Sequence, residues 1–120
     1  MRWTLALHGG AGAMRQLGTA KESAYREGLN TAALAGAAVL NAGYSAVEAV
    51  IAAVRSMESS GVFNAGAGSG LTRDGCVEVD GAVMVASDTS IGAVAGVASV
   101  ENAVELAEAV RVRSPHVLLV

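Results

Sequence analysis

The segment from residue 63 to residue 84 constrains the fold more than any other part of the sequence. It opens with Phe63 and Asn64, and glycines then occupy every second position from Gly66 to Gly70. Glycines spaced in this way favour a close approach between backbones over a regular strand. An Asp-Gly pair follows at residues 74 and 75, and such a pair suits the positive φ angles of a tight hairpin turn. The sequence therefore predicts a glycine-dense loop that leads through a hairpin into a strand.

The remaining elements follow from hydrophobic periodicity and helix-capping signals. Two capping-box patterns, Thr19 with Glu22 and Ser45 with Glu48, predict the starts of two helices. The second helix has a predicted buried stripe that consists of Val47, Val50, Ile51 and Val54. In chain order, we predict a strand at 3–7 and helices at 19–41 and 46–57. A hairpin turn at 73–75 follows, between a β-compatible run that precedes it and a strand at 76–85. A strand at 91–97, a helix from 102 that Pro115 limits, and a strand at 117–120 complete the order β-α-α-β-β-β-α-β. Paired helices followed by consecutive antiparallel strands indicate an α+β layered fold.

Composition and charge narrow the classes of function. Hydrophobic residues make up 52% of the 120 residues but aromatic residues only 3%, so small side chains must pack closely. The net charge of −3 and the scattered basic residues argue against nucleic-acid binding. We find no signal-peptide pattern and no run of about 20 uncharged apolar residues. With the single cysteine, Cys76, these features predict a cytoplasmic protein without a membrane or nucleic-acid partner.

A second glycine-rich segment, residues 8–12, follows the first predicted strand and raises the possibility of a nucleotide site. A dinucleotide fingerprint has the pattern Gly-x-Gly-x-x-Gly at the start of a helix. Gly10 and Gly12 supply the first two glycines, but Arg15 stands where the third is required. The loop from Gly66 to Gly70 lacks the Gly-Lys-Ser/Thr ending of a phosphate-binding loop. A glycine-loop nucleotide-binding module stays an alternative, and close backbone approach is favoured.

Three side chains near the predicted hairpin are candidates for chemistry. Glu78 and Asp80 are two residues apart on a predicted strand, so both would face the same side. Paired carboxylates can act as acid and base or hold a metal, but no third ligand accompanies them, and a structural role is favoured. Cys76 lies beside the negative charge of Glu78, which disfavours a reactive thiolate. We predict that Cys76 is a small, at least partly buried residue of the strand.

Taken in order, these motifs resemble the N-terminal part of the plant-type L-asparaginase/isoaspartyl peptidase family, a branch of the N-terminal-nucleophile hydrolases. The similar segments lie at 7–12, 63–68, 72–75, 78–84, 92–97 and 114–117, with Asn102 between the last two. The resemblance covers the whole chain. Gly81 stands where alanine is more usual in that family, a departure that we expect to have little consequence.

The resemblance implies a four-layer αββα sandwich, in which residues 1–120 would be an incomplete half, the α-subunit portion, completed by a β subunit. It implies that a precursor cleaves itself and that the new N-terminal threonine of the β subunit hydrolyses L-asparagine and β-aspartyl dipeptides. No Gly-Thr junction stands before an apolar strand in this sequence, so we expect the nucleophile beyond Val120. The chain alone, with no catalytic residue of its own, is expected to be inactive. A dimer of αβ units, a heterotetramer, is the implied assembly, and a glycosylasparaginase-like amidase is the related alternative.

The resemblance also implies roles for two sets of residues. The first set would support the active site beside the threonine of the β subunit and consists of His8, Gly9, Gly10 and Asn64. The second set belongs to a loop that resembles the family's sodium-binding loop, in which main-chain carbonyls coordinate the ion. Its implied ligands are the carbonyls of Met57, Glu58, Ser60, Phe63, Ala65 and Ala67. A structural sodium ion and a small-molecule substrate are expected, and no catalytic cofactor.

Overall fold

The computed structural model describes residues 2–12 and 18–120, which form three helices and a three-stranded sheet. The helices are α1 (Thr19–Asn41), α2 (Ala46–Ser59) and α3 (Ala103–Arg113). The strands are β1 (Val79–Val85), β2 (Ser90–Val97) and β3 (Leu118–Leu119). A single 3₁₀ turn, Gly66–Gly68, lies between α2 and β1. The predicted α+β class is confirmed.

The first two helices begin differently, although both were predicted to begin with a capping box. At α2 the prediction is confirmed, because Ser45 Oγ accepts from Glu48 N–H at 3.2 Å and the Glu48 carboxylate accepts from Ser45 N–H at 2.9 Å. At α1 the prediction is wrong, because Thr19 is already helical and the residue before the helix is Gly18. A capping side chain must precede the first helical residue, and Thr19 lies one position too late.

Helices α1 and α2 pack against each other as an antiparallel pair at Gly36. A Cβ atom at Gly36 would lie 3.0 Å from the carbonyl oxygen of Ala49 and 2.7 Å from Leu5 Cδ2. Trp3 Nε1 also donates to Asn41 Oδ1 at 3.2 Å, so residues 2–7 are held against the helices. The predicted strand at 3–7 is wrong, because a strand requires backbone pairing with a neighbour, and these residues belong to no ladder.

Three of the four residues in the predicted stripe of α2 face the core but are only half-buried, and the buried residues of this helix are Ala49, Ala53 and Glu58. Val47, Ile51 and Val54 pack against the core, whereas Val50 is 40% exposed. Within the part of the chain that the structure describes, no helix has both the length and the apolar character needed to cross a membrane.

The sheet has the order β1-β2-β3. β1 and β2 are antiparallel, with a bulge between Val79 and Gly81, and β3 pairs with β2 in parallel. The predicted turn at 73–75 is present, since Gly75 N–H donates to the carbonyl of Thr72 at 3.0 Å. The residues before this turn form no strand, and the strand predicted at 76–85 is present from Val79 to Val85 but starts three residues later than expected. Because β2 ends at the partner of Val79, the residues before Val79 have no ladder to join.

Helix α3 lies very close to the sheet, and two glycines make this approach possible. A Cβ atom at Gly92 would collide with the carbonyl of Ala107 and the backbone nitrogen of Arg111. A Cβ atom at Gly81 would lie 2.7 Å from the carbonyl carbon and oxygen of Ala103. The expectation that glycine at position 81 has little consequence is wrong here, because alanine would push α3 away. The buried core between α3 and the sheet consists of Val79, Val83, Val94, Ala103, Val104, Ala107 and Val110.

The opposite face of the sheet is apolar and open. Side chains alternate between the two faces of a strand, and Ala82 and Met84 project away from the core. Met84 is 71% exposed. Their cross-strand partners in β2 are Ala93 and Ile91. The sheet therefore has one packed apolar face and one open apolar face, which we call the open face.

Candidate functional site

Two segments that are far apart in the sequence line one cavity of about 440 Å³. One segment is residues 8–12 and the other is residues 63–65, and α1 and α2 contribute Tyr25 and Met57. The antiparallel helix pair returns the chain to its starting point, which brings these segments together. The four residues that were predicted to support an active site all lie at this cavity: His8, Gly9, Gly10 and Asn64.

Phe63 forms the packed wall of the cavity. Its side chain is 2% exposed, and its ring centroid lies 5.6 Å from that of Tyr25. A Cβ atom at Gly9 would lie 3.1 Å from the ring, and one at Gly28 would lie 2.9 Å from it. The ring is therefore held between the first glycine loop and α1, and glycine at these two positions leaves room for it.

His8 is turned back onto its own loop. Its Nδ1 accepts a hydrogen bond from Gly10 N–H at 3.2 Å, and Gly10 has a φ of 117°, in the region that favours glycine. This contact shapes the loop at the mouth of the cavity. The geometry fits the structural role that a lone histidine usually has.

Asn64 closes the glycine-dense loop. Its Oδ1 accepts from Gly70 N–H at 2.8 Å. Asn64 also borders a second, mostly polar cavity of about 370 Å³, together with Ser69, Glu78 and Asp80. Asn64 is thus the polar side chain that lies between the two cavities.

The two carboxylates of the second cavity are not an acid–base pair on one strand. Both are exposed, and Glu78 precedes β1 whereas Asp80 lies within it. Asp80 Oδ1 accepts from Gly96 N–H at 2.8 Å, beside the bulge in the β1–β2 ladder. This contact supports the structural role that we favoured for Asp80. The prediction for Cys76 is wrong, because its thiol is exposed and lies in the segment between the turn and β1.

In the loop after α2, main-chain carbonyl oxygens accept hydrogen bonds from donors of the same loop. The carbonyl of Met57 accepts from Ser60 N–H at 3.3 Å and from Ser60 Oγ at 2.7 Å. The carbonyl of Phe63 accepts from Ala65 N–H at 2.8 Å, and the carbonyl of Ala65 accepts from Gly68 N–H at 3.1 Å. Since each carbonyl oxygen has two lone pairs, those of Phe63 and Ala65 keep capacity for a cation.

Two glycines bring further carbonyls into the interior of this loop. The oxygens of Gly61 and Phe63 both lie against Gly68, at a distance that excludes a side chain there. The oxygen of Glu58 lies against Gly66 in the same way, and Gly66 has a φ of 52°. Gly61 was not among the ligands that the resemblance implied. Across residues 2–12 and 18–120, no cluster of three or more His, Cys, Asp or Glu residues could hold a metal. Backbone oxygens are ligands that suit a hard cation.

The side chain of Glu58 has a role that the sequence did not reveal. It is 3% exposed, and its Oε1 accepts from Val104 N–H at 3.1 Å. Among the described residues, no hydrogen-bond partner meets Oε2. Burial raises the pKa of this carboxyl, and the Val104 N–H and the Asn102 side chain oppose the shift. The two residues of this contact are 46 positions apart, so no local signal could have indicated it.

Comparison with known proteins finds one protein family whose sequences match nearly the full length of this chain. A family model described as asparaginase matches residues 1–120. An isoaspartyl peptidase of Salmonella typhimurium is 44% identical over 97% of this chain. A plant-type L-asparaginase of Thermococcus kodakarensis is 42% identical over 97% of the chain, and an isoaspartyl peptidase/L-asparaginase of Rattus norvegicus is 39% identical over 96%.

The matched region is only part of each relative. The chain spans 38% of the Salmonella protein, 37% of the Thermococcus protein and 34% of the rat protein. The names of these relatives agree with the resemblance found in the motifs. They support neither a nucleotide-binding module nor a glycosylasparaginase-like amidase.

Proposed function

The chain belongs to the asparaginase family, and we propose that it is the α-subunit portion of a threonine-dependent amidohydrolase. Its substrates would be L-asparagine and β-aspartyl dipeptides. The observation that carries this proposal is the family match over residues 1–120, with relatives named isoaspartyl peptidase and plant-type L-asparaginase. Because the chain spans 38% or less of these relatives, the activity is proposed for the completed protein and not for this chain alone.

The open face of the sheet supports completion by a second subunit. A sheet face made of Ala82, Met84, Ile91 and Ala93 is stable in water only when another layer covers it. We propose that a sheet of the β subunit packs there, which completes a four-layer αββα sandwich. Two such αβ units would form the heterotetramer.

The proposed chemistry uses the N-terminal threonine of the β subunit. Its hydroxyl oxygen attacks the side-chain carbonyl carbon of the substrate, and its own α-amino group takes the hydroxyl proton. Ammonia, or the amine of the dipeptide, leaves with that proton, and the aspartyl group stays as an ester on the threonine. A water molecule then hydrolyses the ester, which releases aspartate and restores the hydroxyl.

We propose that this chain contributes the residues that line the active site beside that threonine. Asn64 fixes the glycine-dense loop through Gly70, and His8 shapes the opposite loop through Gly10. An amide side chain does not titrate near neutral pH, so Asn64 would orient groups and not transfer protons. The Gly-Thr pair at 18 and 19 opens α1, and this helical context does not suit the cleavage junction.

We also propose that the loop from Met57 to Ala67 binds a sodium ion through main-chain carbonyls. The implied ligands are those of Met57, Glu58, Ser60, Phe63, Ala65 and Ala67. The Met57 carbonyl accepts two hydrogen bonds from Ser60, so it would have to release one of them to bind the ion. The crowding of carbonyl oxygens against Gly66 and Gly68 supports this assignment. The ion would stiffen the loop that carries Asn64 and would take no part in the chemistry.

A cytoplasmic location fits this proposal. The chain's single cysteine is an exposed free thiol, and such thiols persist in reducing compartments.

The test is to express the reading frame through the region downstream of Val120. We expect a Gly-Thr junction there, cleavage into two chains visible by mass spectrometry, and release of ammonia from asparagine and of both products from a β-aspartyl dipeptide. The matched control replaces the threonine of that junction by alanine, which should abolish both cleavage and turnover. A cleaved protein that hydrolyses neither substrate would contradict the proposal. Turnover of N-glycosylated asparagine alone would favour the glycosylasparaginase-like alternative.

A further inference from the structure

Glu58 contacts two parts of the molecule that are far apart in the sequence. Its carboxylate meets the start of α3, and its backbone meets the Asn64 loop, which we define as residues 61–70. We propose that the Glu58 carboxylate is a positioning group. It holds the C-terminal end of α2, which the Asn64 loop contacts, in place against α3. The predicted effect of this carboxylate on turnover rests on the proposed function. Its predicted effect on the mobility of residues 61–70 does not.

The contact with α3 replaces a missing helix cap. Asn102 is the residue that precedes α3, and its side chain makes no capping hydrogen bond. Glu58 Oε1 instead accepts from Val104 N–H, the second amide of the helix, at 3.1 Å. Capping side chains accept from the second or third amide of a helix. Glu58 therefore caps the N-terminus of α3 from α2, in place of the residue that directly precedes α3.

A second contact joins the same two helix ends. Asn102 Nδ2 donates to Ser59 Oγ at 3.2 Å; Ser59 directly follows Glu58, and Asn102 lies two residues before Val104. The last two residues of α2 are therefore both tied to the start of α3. Since α3 packs tightly against the sheet, these contacts fix the end of α2 relative to the sheet.

The backbone of the same residue supports the Asn64 loop. The carbonyl oxygen of Glu58 lies against Gly66, and a Cβ atom at Gly66 would lie 2.7 Å from Glu58 Cβ. Gly66 begins the 3₁₀ turn that leads toward Gly70, whose N–H donates to Asn64. A movement of the Glu58 backbone would therefore displace the turn that holds the Asn64 side chain.

Removal of the carboxylate should act on both ends of this connection. Without Oε1, the buried Val104 N–H would lose its partner, which opens the start of α3. The end of α2 would lose its buried hydrogen bond to α3, and residues 61–70, which rest on that end, would fluctuate more. A purely structural role for Glu58 predicts only the first effect.

Hydrogen exchange on the mature two-chain protein separates these cases. We expect Glu58→Ala to raise the exchange rates of amides in both 61–70 and 103–106 by about tenfold or more. We expect Glu58→Gln to stay within about threefold of wild type in 61–70, because its side-chain carbonyl can still accept from Val104 N–H. The matched control is Val110→Ala, which weakens the buried side of α3 away from Glu58 and should leave the loop unchanged.

Loop exchange at the wild-type rate in Glu58→Ala would overturn the proposal, and so would equal loop exchange in Glu58→Ala and Val110→Ala. If Glu58→Ala does not accumulate, Glu58→Asp is measured instead. Aspartate keeps the negative charge, but its side chain is one methylene shorter and does not reach Val104 N–H. We therefore expect Glu58→Asp to raise the exchange rates in 61–70 as Glu58→Ala does. The second readout is kcat, which should fall in Glu58→Ala and recover in Glu58→Gln. A wild-type protein without activity would contradict the proposed function and leave the exchange result intact.

Discussion

Asn64 Oδ1 accepts a hydrogen bond from Gly70 N–H at 2.8 Å, and this single contact closes the glycine-dense loop across six residues. It fixes a polar side chain that borders both cavities. We predict that Asn64→Ala lowers kcat by 10- to 100-fold, the order of loss that a misplaced active-site group causes. Steady-state ammonia release from asparagine measures this loss.

The matched variant for this position is Asn64→Asp, which keeps an oxygen acceptor for Gly70 N–H. If loop closure is what matters, Asn64→Asp should retain more activity than Asn64→Ala. Wild-type kcat in Asn64→Ala would show that the contact is only a turn within the loop.

The close approach of α3 to the sheet predicts a large cost for a single methyl group at Gly92. A Cβ atom there would lie 2.5 Å from Arg111 Cβ and closer still to the backbone of α3. We predict that Gly92→Ala lowers the free energy of unfolding by about 1–3 kcal/mol, the usual cost of overpacking. Gly81→Ala should act in the same direction through Ala103.

The control for these glycines is Gly12→Ala. A Cβ atom at Gly12 would have no described heavy atom within 4 Å, and its φ lies outside the left-handed region. Chemical denaturation should therefore show a near-wild-type free energy of unfolding for Gly12→Ala. An equal loss in Gly12→Ala and Gly92→Ala would contradict the packing explanation.

The capping box of α2 predicts a stability effect that depends on pH. The hydroxyl of Ser45 and then its backbone N–H lower the pKa of Glu48. The folded protein thus binds this proton more weakly than the unfolded chain does, so the stabilisation is present above the ordinary pKa of glutamate. It is lost as the pH falls through the lowered pKa. We predict that Ser45→Ala lowers the free energy of unfolding by about 1 kcal/mol near neutral pH.

The measurement for the cap is the difference in unfolding free energy between wild type and Ser45→Ala across a range of acidic pH. This difference should become smaller as the pH falls, because the ionised carboxylate that completes the box is lost. A difference that does not change with pH would show that Ser45 acts without Glu48.

The proposed sodium site predicts a stability that depends on the cation. A ligand that binds only the folded state stabilises it by about 2.7 kcal/mol when its concentration is 100 times its Kd. We predict that replacing sodium by choline at constant ionic strength lowers the melting temperature and speeds hydrogen exchange in the loop from Met57 to Ala67. An unchanged melting temperature would indicate that packing around Gly66 and Gly68 holds the loop by itself.

Local signals in the sequence predicted the helices well. The capping box of α2 was correct because it depends on residues within one helical turn, whereas α1 spans the predicted residues without the capping box that was expected at Thr19. The grouping of His8, Gly9, Gly10 and Asn64 followed from a resemblance in motifs, and the structure places all four at one cavity. Their roles in turnover stay predictions.

Strands were predicted less well because a strand depends on its partner. Residues 3–7 have an apolar pattern, yet they lie against α1 and Asn41 instead of in the sheet. The segment from Cys76 to Glu78 stays outside β1 because β2 ends opposite Val79. No local pattern in either segment indicates where the neighbouring strand stops.

The sequence by itself determined the presence of the three helices, the α+β class and the motifs that indicate the family. Only the tertiary structure decided that Gly81 and Gly92 are required by α3, and that Glu58 caps a helix 46 residues away. The physical reason is the separation along the sequence over which each kind of interaction acts. Helix caps and periodicity act between residues a few positions apart, whereas close backbone contacts and buried hydrogen bonds exist only after distant segments have packed.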